Sequence, residues 1–171
     1  RLVYINDQGV YENWKIYAVN ADNTDDKVLT PFDEVQARFV DDLEDDSDHV
    51  LVSLNRSDPR IHDVFRLDVN TGDFELVAEN PGNISGWMTD HDGRLRIATT
   101  TDGVNESILY RETEDDSFQV IVTTDFRETL SPLFFTFDNK GLYVASNRSR
   151  DKTAIFEFDL PTATDRKSTR L

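Results

Sequence analysis

One short phrase is written four times in this chain, at intervals in the mid-forties. The copies are Ile16-Tyr17, Val64-Phe65, Leu109-Tyr110 and Ile155-Phe156, and the steps between their aromatic members are 48, 45 and 46 residues. A second phrase keeps the same beat: Leu2-Val3-Tyr4-Ile5, Leu51-Val52-Ser53-Leu54, Leu95-Arg96-Ile97-Ala98 and Leu142-Tyr143-Val144-Ala145. The runs are short and alternate apolar with polar residues, the period of a half-buried strand. Turn signals punctuate them. In Asn70-Thr71-Gly72-Asp73, Gly72 supplies the positive φ of a tight hairpin, and His91-Asp92-Gly93 and Asn139-Lys140-Gly141 are read in the same way. No stretch sustains a 3.6-residue apolar period with caps, so essentially no helix is expected.

A repeat of this length, built of short strands and turns, marks the blades of a β-propeller. In the second unit, residues 36–40, 50–54, 63–69 and 74–78 are read as four successive strands. The expected fold is all-β, about four four-stranded antiparallel blades with approximate limits 1–32, 33–80, 81–126 and 127–171. Tyr17, Phe65, Tyr110 and Phe156 are expected at equivalent places on third strands. The first unit opens in its second strand, and the last breaks off where residues 167–171 should form its outer strand. Because an unclosed ring exposes strand edges, the chain is read as part of a larger propeller. Self-association through those edges is expected, with some of Phe134, Phe135, Phe137, Phe156 and Phe158 facing outward.

Composition sets further limits. Eleven Phe, five Tyr and two Trp among 171 residues provide ample material for packing between blades. No apolar run approaches the length of a membrane span. With no cysteine there is no disulfide and no thiolate chemistry; this fits a reducing, cytoplasmic setting and leaves a periplasmic one open. The net charge of −16 disfavours nucleic acid as a partner. In a blade, the loops joining first to second and third to fourth strands share one end. Here those are 22–27, 41–48, Asp73, 90–93, 112–116 and Asp165, nearly all acidic. The opposite end is mixed, with Arg56, Arg60, Arg127, Arg148 and Arg150 among Asp58, Asp63, Asp125 and Asp151.

Chemistry-bearing motifs are scarce. The acidic run from Asp41 to His49 lacks the glycine that a calcium loop needs and reads as a solvated loop. The histidines His49, His62 and His91 fall in separate loops without metal-ligand spacing, so no metal is expected, and nothing calls for a cofactor. Gly82-Asn83-Ile84-Ser85-Gly86 has the wrong spacing and context for a nucleophile elbow. No catalytic residue is therefore assigned.

The run from Asn55 to Asp68, with Asn70-Thr71-Gly72, Asn80-Pro81-Gly82 and Ser146-Asn147-Arg148-Ser149-Arg150-Asp151, resembles the N-terminal propeller of the prolyl oligopeptidase family of serine peptidases, in its bacterial dipeptidyl aminopeptidase and acylaminoacyl peptidase-like members. The resemblance implies a seven- or eight-bladed propeller, of which this chain would hold about half, and a C-terminal α/β-hydrolase domain with a Ser-Asp-His triad outside this chain. It also implies a role for these blades in walling and gating the access of peptide substrate to that domain. Arg60, His62, Arg148 and Asp151, on loops of the mixed end, are then candidates for rim or cavity contacts. The plainer reading makes Asp58 and Pro59 a turn, and Arg60 with Asp63, and Arg148 with Asp151, loop-stabilising ion pairs. From another class, a stand-alone TolB-like propeller acting as a protein-interaction scaffold would carry much the same blades.

Overall fold

In this computed structural model, residues 1–7 and 13–160 are described in full and residues 164–166 by their backbone. The described residues contain strands and turns and no helix. They form two compact units, Arg1–Gly82 and Asn83–Leu171.

The first unit holds two sheets. Strands β1 (Leu2–Asp7), β2 (Trp14–Val19) and β3 (Lys27–Val28) form an antiparallel meander. Strands β4 (Ala37–Asp41), β5 (His49–Asp58), β6 (Ile61–Asp68) and β7 (Phe74–Ala78) form the second, in chain order. Because side chains alternate faces along a strand, Ile16 and Ala18 of β2 point one way and meet Val50, Val52, Leu54, Phe65 and Leu67 in one core. Tyr17 points the other way and stacks on Tyr4, ring centroids 5.2 Å apart.

The second unit repeats the plan. Strands β8 (Ile84–Thr89), β9 (Leu95–Thr101), β10 (Glu106–Tyr110) and β11 (Gln119–Thr124) make one sheet. Strands β12 (Leu130–Phe135), β13 (Gly141–Ser146), β14 (Ala154–Asp159) and β15 (Thr164–Arg166) make the other. Ile97 and Ile108 share a core with Phe135, Leu142, Val144 and Phe158. Of the phenylalanines expected to face outward, Phe137 and Phe134 do, while Phe135 and Phe158 are buried.

Several details depart from the sequence reading. In the second sheet Phe65 lies opposite Val52, whereas the equivalent aromatics lie opposite Tyr4, Ile97 and Val144. The repeating phrase there is therefore Val50-Leu51-Val52-Ser53, one residue earlier than its leucine indicates. Tyr110 also breaks the expected equivalence. Phe65 and Phe156 join the cores shared with the preceding sheet, but Tyr110 packs, with Ile108, into the core shared with the following one. Since the side-chain period is two, one residue of drift in the repeat reverses the face. Leu109 keeps the phase of Phe65 and Phe156.

The doubling at Val64-Phe65 corresponds to a bulge, because Val64 pairs Ala78 while Phe65 pairs Leu76. Gly72 and Gly93 supply positive φ, at 86° and 72°. In the third turn that role falls to Asn139, at φ 56°, and Gly141 begins β13 instead. Asparagine tolerates the left-handed region better than most residues. Asp165 lies within β15 and not in the loop before it; the outer strand expected over 167–171 falls outside the described residues. In the acidic run 41–48, Leu43 is buried and anchors the loop.

Candidate functional site

The sequence candidates form two pairs, one in each unit. In the first unit, Pro59 and Arg60 make the two-residue turn between β5 and β6, with Asp58 paired to Ile61. Below the turn the register slips, so that Asn55, Arg56 and Ser57 together face His62. A bulge of this kind re-aims side chains and leaves backbone groups in need of partners. Buried Asn55 supplies them, accepting from Gln36 N at 2.6 Å and donating to Pro59 O at 2.9 Å. Ser57 donates to the buried Asp63 carboxylate, which also accepts from Asn80 N at 2.8 Å. Arg56 lies over the rings of Phe32 and Phe74, at 4.4 and 4.9 Å.

Arg60 is exposed and grips Asp58, its Nε and Nη2 donating at 3.0 and 2.8 Å. These side-chain bonds, helped by one from the Arg60 backbone, hold the Asp58 carboxyl down at about 2. The expected pairing of Arg60 with Asp63 is thus replaced by one with Asp58, because a two-residue turn brings their side chains together. His62 sits within β6 and not in the loop. It is half-buried, and its Nε2 has no hydrogen-bond partner. Burial first, then the charge of Arg38, pushes its pKa below the ordinary imidazole value.

In the second unit, Arg148 and Asp151 lie in the exposed loop between β13 and β14. Arg148 reaches Glu128, Nε to carboxylate 3.8 Å, and not Asp151. Asp151 makes no ion pair among the described residues. Arg150 covers the ring of Phe156 at 4.6 Å. Asn147 Oδ1 accepts from Thr129 N at 2.7 Å, just ahead of β12. That bond repeats the one from Gln36 N, just ahead of β4, to Asn55. The Asn-Arg-Ser phrase shared by the second and fourth repeats therefore ties the end of a second strand to the start of the first strand beside it.

Sequence reasoning missed the most elaborate polar cluster. Along β9, Met88 pairs Ile97 but Thr89 pairs Leu95, so Arg96 is bulged and turns toward the following sheet. It is almost fully buried. Its Nη1 donates to Asp90 at 3.1 Å and to Asn139 O at 3.0 Å, and its Nη2 to Tyr110 Oη at 2.5 Å and Glu112 at 3.2 Å. The guanidinium also lies over the Tyr110 and Phe135 rings, at 5.2 and 5.4 Å. Burial opposes its charge, yet Tyr110, Asp90 and Glu112 leave its pKa raised. Beside it, His91 N donates to Asn139 Oδ1 at 3.0 Å, and its ring bonds Phe135 O at 3.1 Å. The signal was a charged residue inside an apolar phrase. This cluster clamps two sheets together and offers no open coordination or nucleophile.

A cleft of about 320 Å³ opens between the two sheets of the second unit. Ser85, Gly86 and Met88 of β8, Ile97, Thr99 and Thr100 of β9, and Glu106 and Ser107 of β10 line one side. Leu130, Ser131 and Pro132 of β12 line the other. Among the described residues no group of three or more His, Asp or Glu is placed to hold a metal ion.

Repeated antiparallel sheets of this form are β-propeller blades. No family model matches the chain. It is 28% identical over 161 residues to dipeptidyl aminopeptidase BIII of Pseudoxanthomonas mexicana, covering 93% of this chain. Among solved structures, a prolyl endopeptidase superposes with a TM-score of 0.63 at 14% identity, over 96% of this chain and 24% of the other. TolB from Acinetobacter baumannii superposes at 0.61 with 13% identity, over 91% and 37%. The chain spans about a quarter of the length of the curated peptidase it matches, 23%. The resemblance to the propeller of the prolyl oligopeptidase family is borne out, and at such low identity the two superpositions speak for the fold alone.

Proposed function

We propose that this chain is a non-catalytic stretch of the propeller of a prolyl oligopeptidase-type serine peptidase. In this reading its blades wall and gate the access of peptides to an α/β-hydrolase domain outside the residues given. The observation that carries it is the 28% identity to dipeptidyl aminopeptidase BIII across 93% of the chain. Blade architecture alone could not carry it, since TolB is matched about as well as a prolyl endopeptidase. The physical basis is a rigid wall of sheets edged by charged loops. Size excludes folded proteins, and the loop charges orient a peptide.

Arg60, His62, Arg148 and Asp151 enter this reading unequally. Arg60 is neutralised by Asp58, and Arg148 leans on Glu128. His62 Nε2 is unpartnered but enclosed, which leaves the exposed Asp151, without an ion pair among the described residues, as the one free to meet a substrate. The purified chain is expected to leave chromogenic aminoacyl and peptidyl substrates intact, because no nucleophile and base stand together. The deciding experiment is to read the coding sequence past Leu171. A G-x-S-x-G motif within the next few hundred codons supports the peptidase. A stop codon after further blades, with no hydrolase, overturns it in favour of a TolB-like scaffold.

A further inference from the structure

The cleft between the two sheets of the second unit has a specific chemical character. Its apolar surface comes from Met88, Ile97, Leu130 and Pro132. Ser85 and Ser107 are already spent on neighbours: Ser85 Oγ lies 3.1 Å from Thr99 Oγ1, and Ser107 Oγ lies 2.8 Å from Thr123 Oγ1. Thr100, opposite Ser107, and Ser131, next to the core residue Leu130, turn their hydroxyls to the other faces of their sheets, while Glu106, in phase with Ile108, is exposed and its carboxylate has no partner among the described residues. The cleft therefore combines an apolar surface with one unpaired carboxylate.

Gly86 keeps one wall bare. A Cβ there would meet Thr99 Oγ1 at 2.8 Å, so any side chain would have to displace that hydroxyl. Both β8 and β12 are edge strands, and Pro132 within β12 has no N–H to offer, as suits an edge. Strand edges at the mouth of a cleft give an extended peptide backbone partners.

We propose that this cleft takes the side chain of one basic residue, arginine or lysine, of an extended peptide. The assignment rests on the reading of these blades as a peptide-facing wall. Long basic side chains carry an apolar stem and a charged head, and the cleft offers a surface for each. A purely apolar side chain would leave the Glu106 carboxylate to water alone. An anionic one would meet Glu106 and a chain of net charge −16.

The test is a titration of the ¹⁵N-labelled chain, followed by amide shifts, with N-acetyl-arginine amide, N-acetyl-norleucine amide and N-acetyl-glutamate amide. Probes this small bind at roughly millimolar strength. The arginine probe should shift the amides of Ser85, Gly86, Thr100 and Ser131 and bind at least about fivefold more tightly than the norleucine probe. The exposed substitution Glu106→Gln should weaken it by a similar factor while leaving the thermal midpoint unchanged. Equal binding of arginine and norleucine, insensitivity to Glu106→Gln, shifts located elsewhere, or no shifts at all would each overturn the assignment. None of these outcomes bears on the peptidase reading, which the downstream coding sequence decides separately.

Discussion

Replacing Arg96 by methionine should reveal how the second unit is held together. The substitution keeps a long apolar stem and removes the guanidinium. Asp90, whose side chain is wholly buried, keeps bonds from Asp92 N and Arg94 N to Oδ1. Its Oδ2 loses the Arg96 partner, and Asn139 O loses the donor that reaches it from the neighbouring sheet. Breaking a buried pair by removing one member costs about 3–5 kcal/mol, because the remaining charge is stranded. The link to Glu112, a mostly exposed side chain, adds little. Urea unfolding of the chain in a Trp14→Phe background reads the second unit through Trp87, the other tryptophan. With a slope of about 2 kcal/mol per molar, the midpoint should fall by roughly 1.5–2.5 M. Adding Asp90→Asn should restore about 1–3 kcal/mol, since it removes the stranded charge. A loss below about 1 kcal/mol for Arg96→Met, or no recovery in the double variant, would refute the clamp.

Tyr110 is pushed up to about 12, by burial and by its bond to Glu112 against the opposing charge of Arg96. A raised pKa gives stability that is full below the unfolded value near 10 and lost as pH climbs toward 12. Denaturation at high pH should therefore show a step in this window that Tyr110→Phe abolishes. Arg60→Ala should release the Asp58 carboxyl from about 2 toward its ordinary range, with the change read by carbon-detected NMR titration; an Asp58 pKa that stays put would disprove the grip. At φ 86°, Gly72 admits no ordinary side chain without strain, so Gly72→Ala should cost about 1 kcal/mol or more in thermal or urea unfolding. Gly86→Ala should cost a comparable amount and break the Ser85–Thr99 hydroxyl contact, with the loss visible in the exchange of the Thr99 hydroxyl or in a crystal structure.

The repeat was legible because a blade buries both faces, and its apolar phrases must recur wherever a sheet meets the next. The phase within each repeat was harder to read. Strand periodicity has a step of two, so a drift of one residue, invisible in the spacing 48, 45, 46, reverses the face of Tyr110. Bulges deepen the difficulty. The one at Arg96 aims a cation into an interior where the sequence pattern alone would place it on the opposite face, beside Ala98. Loop chemistry was legible in kind but not in pairing. The alternation of Asp and Arg at the mixed ends was evident, yet which carboxylate meets which guanidinium is set by turn length. Two residues bring Arg60 back onto Asp58, while Arg148, in a longer loop, reaches Glu128 at the start of the neighbouring strand. The same reasoning recasts the Asn-Arg-Ser phrase. It helps carry the family resemblance, and its asparagines bond the backbone just before β4 and β12. What a reader of the sequence meets as a motif is there because two strand ends have to be joined. The side chain at the cleft that is free for a ligand, Glu106, lies in a segment that no motif marks.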